Sequence, residues 1–176
     1  MADGPQRPGS LTPMSIRRAA TAIGAISLGL IALTACDKPT ALATVTVGSK
    51  SVHAEASSKC YADGKKLPQP IFLACLQAKP THHITVPVGD QVRIGVDPGI
   101  GDKGWLLVQG TTLVTSELLK HKTYWQVDSA SLFTTQDPQT GQSSIQKSVT
   151  LNVVESTDTT GGNVFRVISF TLLRGK

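Results

Sequence analysis

From Ile84 onward, apolar and polar residues alternate in short runs separated by turn residues, which is the two-residue period of half-buried strands. Ile84–Val88 (ITVPV) passes through a Gly89-Asp90 turn into Gln91–Val96 (QVRIGV). Trp105–Val108 (WLLV), Thr111–Thr115, Thr123–Val127 (TYWQV) and Ser131–Thr134 (SLFT) follow as further strands. Ser148–Val154 and Val164–Leu173 close the chain as a hairpin around Asp158–Asn163, with Gly161 and Gly162 supplying positive-φ positions. Upstream, Ala43–Val47 (ATVTV) ends at Gly48 and reads as a first strand. Pro87 cannot donate to a ladder, so its strand belongs at an edge or a bend. Strands this short, with turns between them, predict an antiparallel, immunoglobulin-like β-sandwich of about seven to eight strands.

Three stretches interrupt the pattern. Ser49–Lys66 is polar, and Asp97–Asp102 (DPGIGD) has the composition of a turn-rich loop. In Leu67–Ala78 (LPQPIFLACLQA), Pro68 and Pro70 suit the opening of a short helix. Ser116–Lys122 reads as one helical turn or a loop. The expected core is Val45, Val47, Val86, Val92, Ile94, Val96, Trp105, Leu107, Trp125, Val127, Leu151, Val153, Phe165 and Val167, with Ile168 or Phe170.

The N-terminus breaks the strand pattern altogether. Ala19–Leu33 (AATAIGAISLGLIAL) carries no charge, follows Arg17-Arg18 and precedes Leu33-Thr34-Ala35-Cys36. A membrane-spanning helix needs about 20 apolar residues, so this run is too short to span. A basic flank, a short apolar centre and small residues at a cleavage point are instead the layout of a secretory signal. Leu-Thr-Ala-Cys resembles the lipobox of bacterial lipoproteins. That resemblance implies that the Cys36 thiolate accepts a diacylglyceryl group and becomes the first mature residue. Two or more acyl chains give stable anchoring. Residues 1–35 are therefore expected to be a signal peptide, 36–42 a tether and 43–176 the folded domain, held at the extracytoplasmic face of the cell membrane. Met1–Pro13 has no signal character, and Met14 would open a compact signal, so translation starts at either methionine. Arg17-Arg18 resembles a twin-arginine export signal, yet Ala19-Ala20-Thr21 lacks the large apolar residues such signals carry, and ordinary secretion fits as well.

Composition then narrows the partners. The 176 residues carry 17 basic and 12 acidic side chains, for a net charge of +5. Three of those basic residues and one acidic residue precede Cys36, so the remainder has a net charge of only +3. A thin surplus of that kind is no nucleic-acid footprint. Partners are expected to be the membrane, through the lipid on Cys36, and a protein of the envelope. Of the three cysteines, Cys60 and Cys75 are left after Cys36. An even pair in an exported chain predicts a disulfide, with neither a C-x-x-C motif nor further nearby ligands to suggest redox or zinc chemistry.

The exported part resembles a family of small lipoproteins of actinobacteria. The resemblance is carried by CDKPTALATVTVGS after the lipobox, the cysteine pair around YADGKKL, and VRIGVDPGIGDKGW. It implies the compartment and a single β domain, and brings no assigned activity with it. Val86–Val92 is also similar to the opening strand of many immunoglobulin-like and cupredoxin-like sandwiches. A type-1 copper site takes a late Cys-His-Met cluster, and this sequence has no Cys, His or Met after His121. The stretch 97–105 is similar in position to a loop of chagasin-type protease inhibitors, although their Asn-Pro-Thr-Thr-Gly is missing.

Candidate chemistry is sparse. There is no Gly-x-Ser-x-Gly elbow and no phosphate loop, and Ser144-Ile145-Gln146-Lys147 lacks a Lys-Thr-Gly partner. His82 and His83 are adjacent and point to opposite faces of a strand. A metal or catalytic site would need His53 and His82 to meet in space, with Glu55. Lys65-Lys66 and Lys120-His121-Lys122 are basic spots suited to anionic headgroups. The expectation is a binding module with no catalytic residue and no cofactor. Its recognition surface is expected at the glycine-rich loop, through Asp97, Gly99, Gly101, Asp102, Lys103 and Gly104, because rigid strands present a loop that glycines let a partner approach closely.

Overall fold

Gly48 adopts φ +57°, which lets the chain reverse in two residues between β1 (Leu42–Val47) and β2 (Lys50–Glu55). In the computed structural model, residues 40–176 except Pro138 are described, and they form one unit. The expected signal segment, Cys36 and most of the expected tether lie outside the described residues. The remaining elements are α1 (Gln69–Gln77), β3 (His83–Val86), β4 (Gln91–Val96), α2 (Pro98–Lys103), β5 (Trp105–Gln109), β6 (Thr112–Leu113), β7 (Tyr124–Asp128), α3 (Ser129–Phe133), β8 (Thr134–Gln136), β9 (Ser143–Ile145), β10 (Ser148–Ser156) and β11 (Val164–Arg174).

The fold is an all-β sandwich. One sheet has the order β2-β1-β4-β7 and the other β3-β11-β10-β5-β6, while β8 and β9 form a separate hairpin. All pairings are antiparallel except that β3 runs parallel to β11, from Thr171↔His83 to Arg174↔Val86. β3 is an outer strand, and Pro87 follows it directly, where its missing N–H costs no ladder bond. Between the sheets lie Val45, Val92 and Ile94 from one side and Trp105, Leu107, Leu151, Val153, Ile168 and Phe170 from the other. Trp105 is fully buried, and its indole N–H donates to the Lys122 carbonyl at 2.6 Å.

The five-stranded sheet is buried on its outer face as well. Leu106, Val108, Val154 and Val167 point away from the sandwich and meet Phe72 and Leu76 of α1. This is why WLLV is buried at every position instead of at alternate ones. Asn152, fully buried on the same face, donates to the Leu76 carbonyl (3.4 Å) and accepts from the Ser169 hydroxyl (2.6 Å). The Cys60–Cys75 disulfide is formed, and it ties α1 to the turn at Ser58–Cys60.

Several expectations change at this level. Lys50–Glu55, read as part of a polar stretch, is an edge strand in which Val52 and Ala54 alternate with the exposed His53 and Glu55, Ala54 buried and Val52 half-buried against the core. Asp97–Asp102, read as a loop, contains α2, opened by Pro98 after Asp97 and closed at Gly104. Ser131–Thr134, read as a strand, lies mostly in α3. Asp128 caps that helix through the Ala130 N–H (2.7 Å), and the helical turn buries the neighbours Leu132 and Phe133 together. Trp125, Val127 and Phe165 are half-buried at the margin instead of central. Of the two hairpin glycines only Gly161 takes a positive φ, while a bulge at Glu155/Ser156 shifts the register.

One buried charge cluster closes the end of the sandwich where the described chain begins. Glu155 meets Lys103 Nζ at 2.9 Å and Arg166 Nε at 3.0 Å, the latter out of line for a hydrogen bond and therefore a charge contact. The Arg166 guanidinium also stacks 4.1 Å from the Tyr61 ring and donates to the Ala41 carbonyl at 3.0 Å. Removing a buried partner leaves the other charge uncompensated, so Glu155→Ala should cost about 3–5 kcal/mol in denaturant unfolding. Reducing the disulfide, or replacing both cysteines by serine, should cost roughly 3 kcal/mol in the chain-entropy account, read as a lower Tm. At the hairpin tip, the Thr160 hydroxyl, helped by the Thr160 and Gly162 N–H groups, holds the Asp158 carboxyl below the ordinary carboxylate range. Its stabilising effect is full above the unfolded-state value of about 4 and is lost as pH falls through the lower folded-state value. Asp158→Asn should therefore flatten the acid limb of the stability–pH curve.

Candidate ligand cleft

The two histidines and the glutamate that the sequence singles out come together in space. β2 is the outer strand of its sheet, and its second half carries His53, Ala54 and Glu55 past the segment that links α1 to β3. Between them lies a cleft of about 480 Å³. Its polar lining is His53, Glu55, Lys79, Thr81, His82 and Ser169, and its apolar floor includes Leu42, Ala54 and Val167. The disulfide forms part of the wall, so the crosslink fixes the linking segment against the sheet.

The imidazoles are oriented by hydroxyls. His53 Nδ1 lies 2.8 Å from Thr44 Oγ1, and His82 Nδ1 lies 3.1 Å from Thr81 Oγ1. Glu55 accepts a hydrogen bond from the Thr40 hydroxyl. Lys79 belongs to none of the ion pairs among the described residues. The cleft thus brings a lysine, a glutamate and two imidazoles together around an apolar floor, the makings of a site for a small polar molecule. Among the described residues, no three His, Cys, Asp or Glu side chains converge closely enough to hold a metal ion, so His53, Glu55 and His82 share the cleft without forming a coordination shell.

The glycine-rich segment proposed for recognition is a packed corner. Asp97 accepts the Leu42 N–H at 2.8 Å, and Lys103 is committed to Glu155 and to the Phe165 ring at 4.3 Å. Gly101 is buried, and a Cβ there would lie 3.0 Å from the Lys122 carbonyl oxygen. Gly104 has φ +114°, and its Cβ would come within 2.9 Å of the Ser156 carbonyl. These glycines admit the chain's own backbone. Only Pro98, Gly99 and Asp102 are exposed in this segment, and Asp102 lies 3.7 Å from the equally exposed His121.

Sequence reasoning did not find Lys79, Thr81 or Ser169. They come from two places that no motif links, the α1–β3 connection and β11, and only the packing of α1 and β11 against the β2 edge brings them together. No family model, curated protein or solved structure matches the chain. No helix among the described residues is long and apolar enough to cross a membrane. If the 97–104 segment is a packing corner, Gly101→Ala should lower stability by about 1–3 kcal/mol through overpacking, measured by thermal unfolding, with the cleft left intact.

Proposed function

We propose that this protein is a lipid-anchored, extracytoplasmic binding module, held in the membrane through Cys36 and binding a small polar ligand, or the polar tip of an envelope partner, in the cleft beside β2. The observation that carries the binding role is the convergence of His53, Glu55, Lys79, Thr81, His82 and Ser169 around one cavity. The mixed charge and the two imidazoles suit a ligand with both donor and acceptor groups. The sequence supports the anchor, through the apolar run and the Leu-Thr-Ala-Cys that follows it. Binding without chemistry is the economical reading of a site with no activated nucleophile. A second reading keeps the same residues as a loose metal site, favoured by His53, Glu55 and His82 lining the same cleft.

Two measurements test this. Cys36→Ser should move the chain from the membrane fraction to the soluble fraction and abolish the mass added by a diacylglyceryl group; an unchanged distribution and mass overturn the anchor. Native mass spectrometry of the chain extracted from its own membranes should show a bound small molecule, or a cross-linked partner, that disappears in Ala78→Trp, which fills the cleft. Identical spectra for the two chains overturn the cleft as the binding site. A zinc-induced rise in Tm that His53→Ala removes selects the metal reading instead.

A further inference from the structure

The strand that follows the tether fixes which end of the sandwich an anchor would draw to the bilayer. The Leu42 N–H donates to Asp97 Oδ2 at 2.8 Å, the Leu42 carbonyl accepts the Asp97 N–H at 3.1 Å, and Arg166 holds the Ala41 carbonyl at 3.0 Å. The chain is therefore pinned to the domain as far back as Ala41. One strand further across, the Val96 N–H donates to the Thr123 carbonyl at 2.9 Å. Leu42, Asp97 and Thr123 lie side by side across β1, β4 and the approach to β7. Two interstrand spacings put the start of β7 about 10 Å from Leu42. Four peptide units separate Cys36 from Thr40, and they reach at most about 14 Å when fully extended. A lipid on Cys36 keeps this end of the domain within about 14 Å of the anchoring residue, close enough to touch the headgroup layer.

The start of β7 carries the side chains that such a position calls for. Tyr124 is 51% exposed and is the one aromatic among the exposed large apolar side chains of the described residues. The other aromatics are spent elsewhere: Trp105, Phe72, Phe133 and Phe170 are buried, and Phe165 and Tyr61 lie under the cations of Lys103 and Arg166. Trp125 sits half-buried at the margin of the core with Lys122 Nζ 5.2 Å from its ring. With Gln126 they line an open depression of about 520 Å³ along a strand whose outer edge is unpaired in its sheet. Tyrosine and tryptophan, with an apolar ring and a polar tip, are the side chains that settle at a membrane–water interface. A lysine beside them lays its stem along apolar surface and keeps its ammonium at the phosphates. Lys122 is shared with Glu117 at 2.8 Å, but both are solvent-exposed, and a surface ion pair of this kind exchanges easily for a lipid phosphate.

We propose that the β7 edge, through Lys122, Tyr124 and Trp125, is a membrane-docking surface that rests in the headgroup layer of the bilayer holding the anchor. This inference rests on the lipidation of Cys36. An aromatic edge also fits a polysaccharide, but the short tether places this one against lipid.

Trp125 is its own reporter, because the only other tryptophan, Trp105, is buried between the sheets. The full lipidated chain is reconstituted into vesicles of phosphatidylcholine and phosphatidylglycerol, with and without bromine high on the acyl chains. The expected result is at least about a two-fold loss of the Trp125 component of emission in brominated vesicles, since an interfacial ring sits within reach of the upper chain carbons. Trp125→Phe, which leaves only Trp105, should show no quenching, and Tyr124→Ser, at an exposed position, should weaken it. A chain that carries the lipid mass and floats with the vesicles, yet shows the same Trp125 emission with and without bromine, overturns the docking surface while leaving the anchor standing. So does emission that ignores lipid but shifts on adding a soluble peptidoglycan fragment. A chain without the lipid mass overturns the anchor, and the docking surface with it.

Discussion

The five-stranded sheet has to be covered on both faces, and the rest of the structure follows from meeting that demand. Leu106, Val108, Val154 and Val167 alternate with Leu107, Val153 and Ile168 along the same strands, so an apolar surface faces each way. A sandwich covers only one of the two. The second is closed by α1, a helix of only nine residues with little stability of its own. The Cys60–Cys75 bond supplies what the short helix lacks, by restricting the unfolded chain and tethering α1 to the turn before it. Asn152 completes the layer by joining the C-terminal end of α1 to β10 and β11 without leaving a buried amide unpaired.

The cleft is a consequence of that extra layer. Where α1 ends, the chain crosses back over the edge of the sandwich to begin β3, and β2 stands opposite with its edge unpaired. The space left between them collects side chains from both. Its position beside the disulfide gives it a rigid wall, and the hydroxyls of Thr44 and Thr81 set the imidazoles, so the groups are held before any ligand arrives. The corner at 97–104 has the opposite character. Gly101 and Gly104 serve the chain's own close approach, while Asp97 locks the beginning of β1 and Lys103 neutralises Glu155.

Much of the architecture was legible along the chain. About seven to eight strands were expected, and those at Ala43–Val47, Gln91–Val96, Trp105–Val108, Ser148–Val154 and Val164–Leu173 stand where alternation and turn residues put them. The short helix of Leu67–Ala78 follows from its two prolines, and the disulfide from an even cysteine count. The misreadings share one cause. β2 buries only one small side chain, Ala54, so its period is faint within a polar stretch, while α2 and α3 are short helices whose composition resembles a loop and a strand. In each of these, tertiary position outweighs local preference.

For the candidate site the division is sharper. The sequence by itself determined which chemical groups the molecule has: few aromatics, four histidines, an apolar run ending in a lipobox-like Cys36, and no nucleophile elbow. It also determined that the folded part would be β-sheet, because a period of two residues is written locally and each strand carries its own copy. Only the tertiary structure decided that His53, Glu55, Lys79 and His82 share a cleft, that Gly101 and Gly104 face backbone instead of solvent, and that the parallel β3–β11 pair closes the sheet. Those are distances between residues far apart in the chain. Nothing local encodes them; they are set when two apolar faces and a helix are packed into one volume.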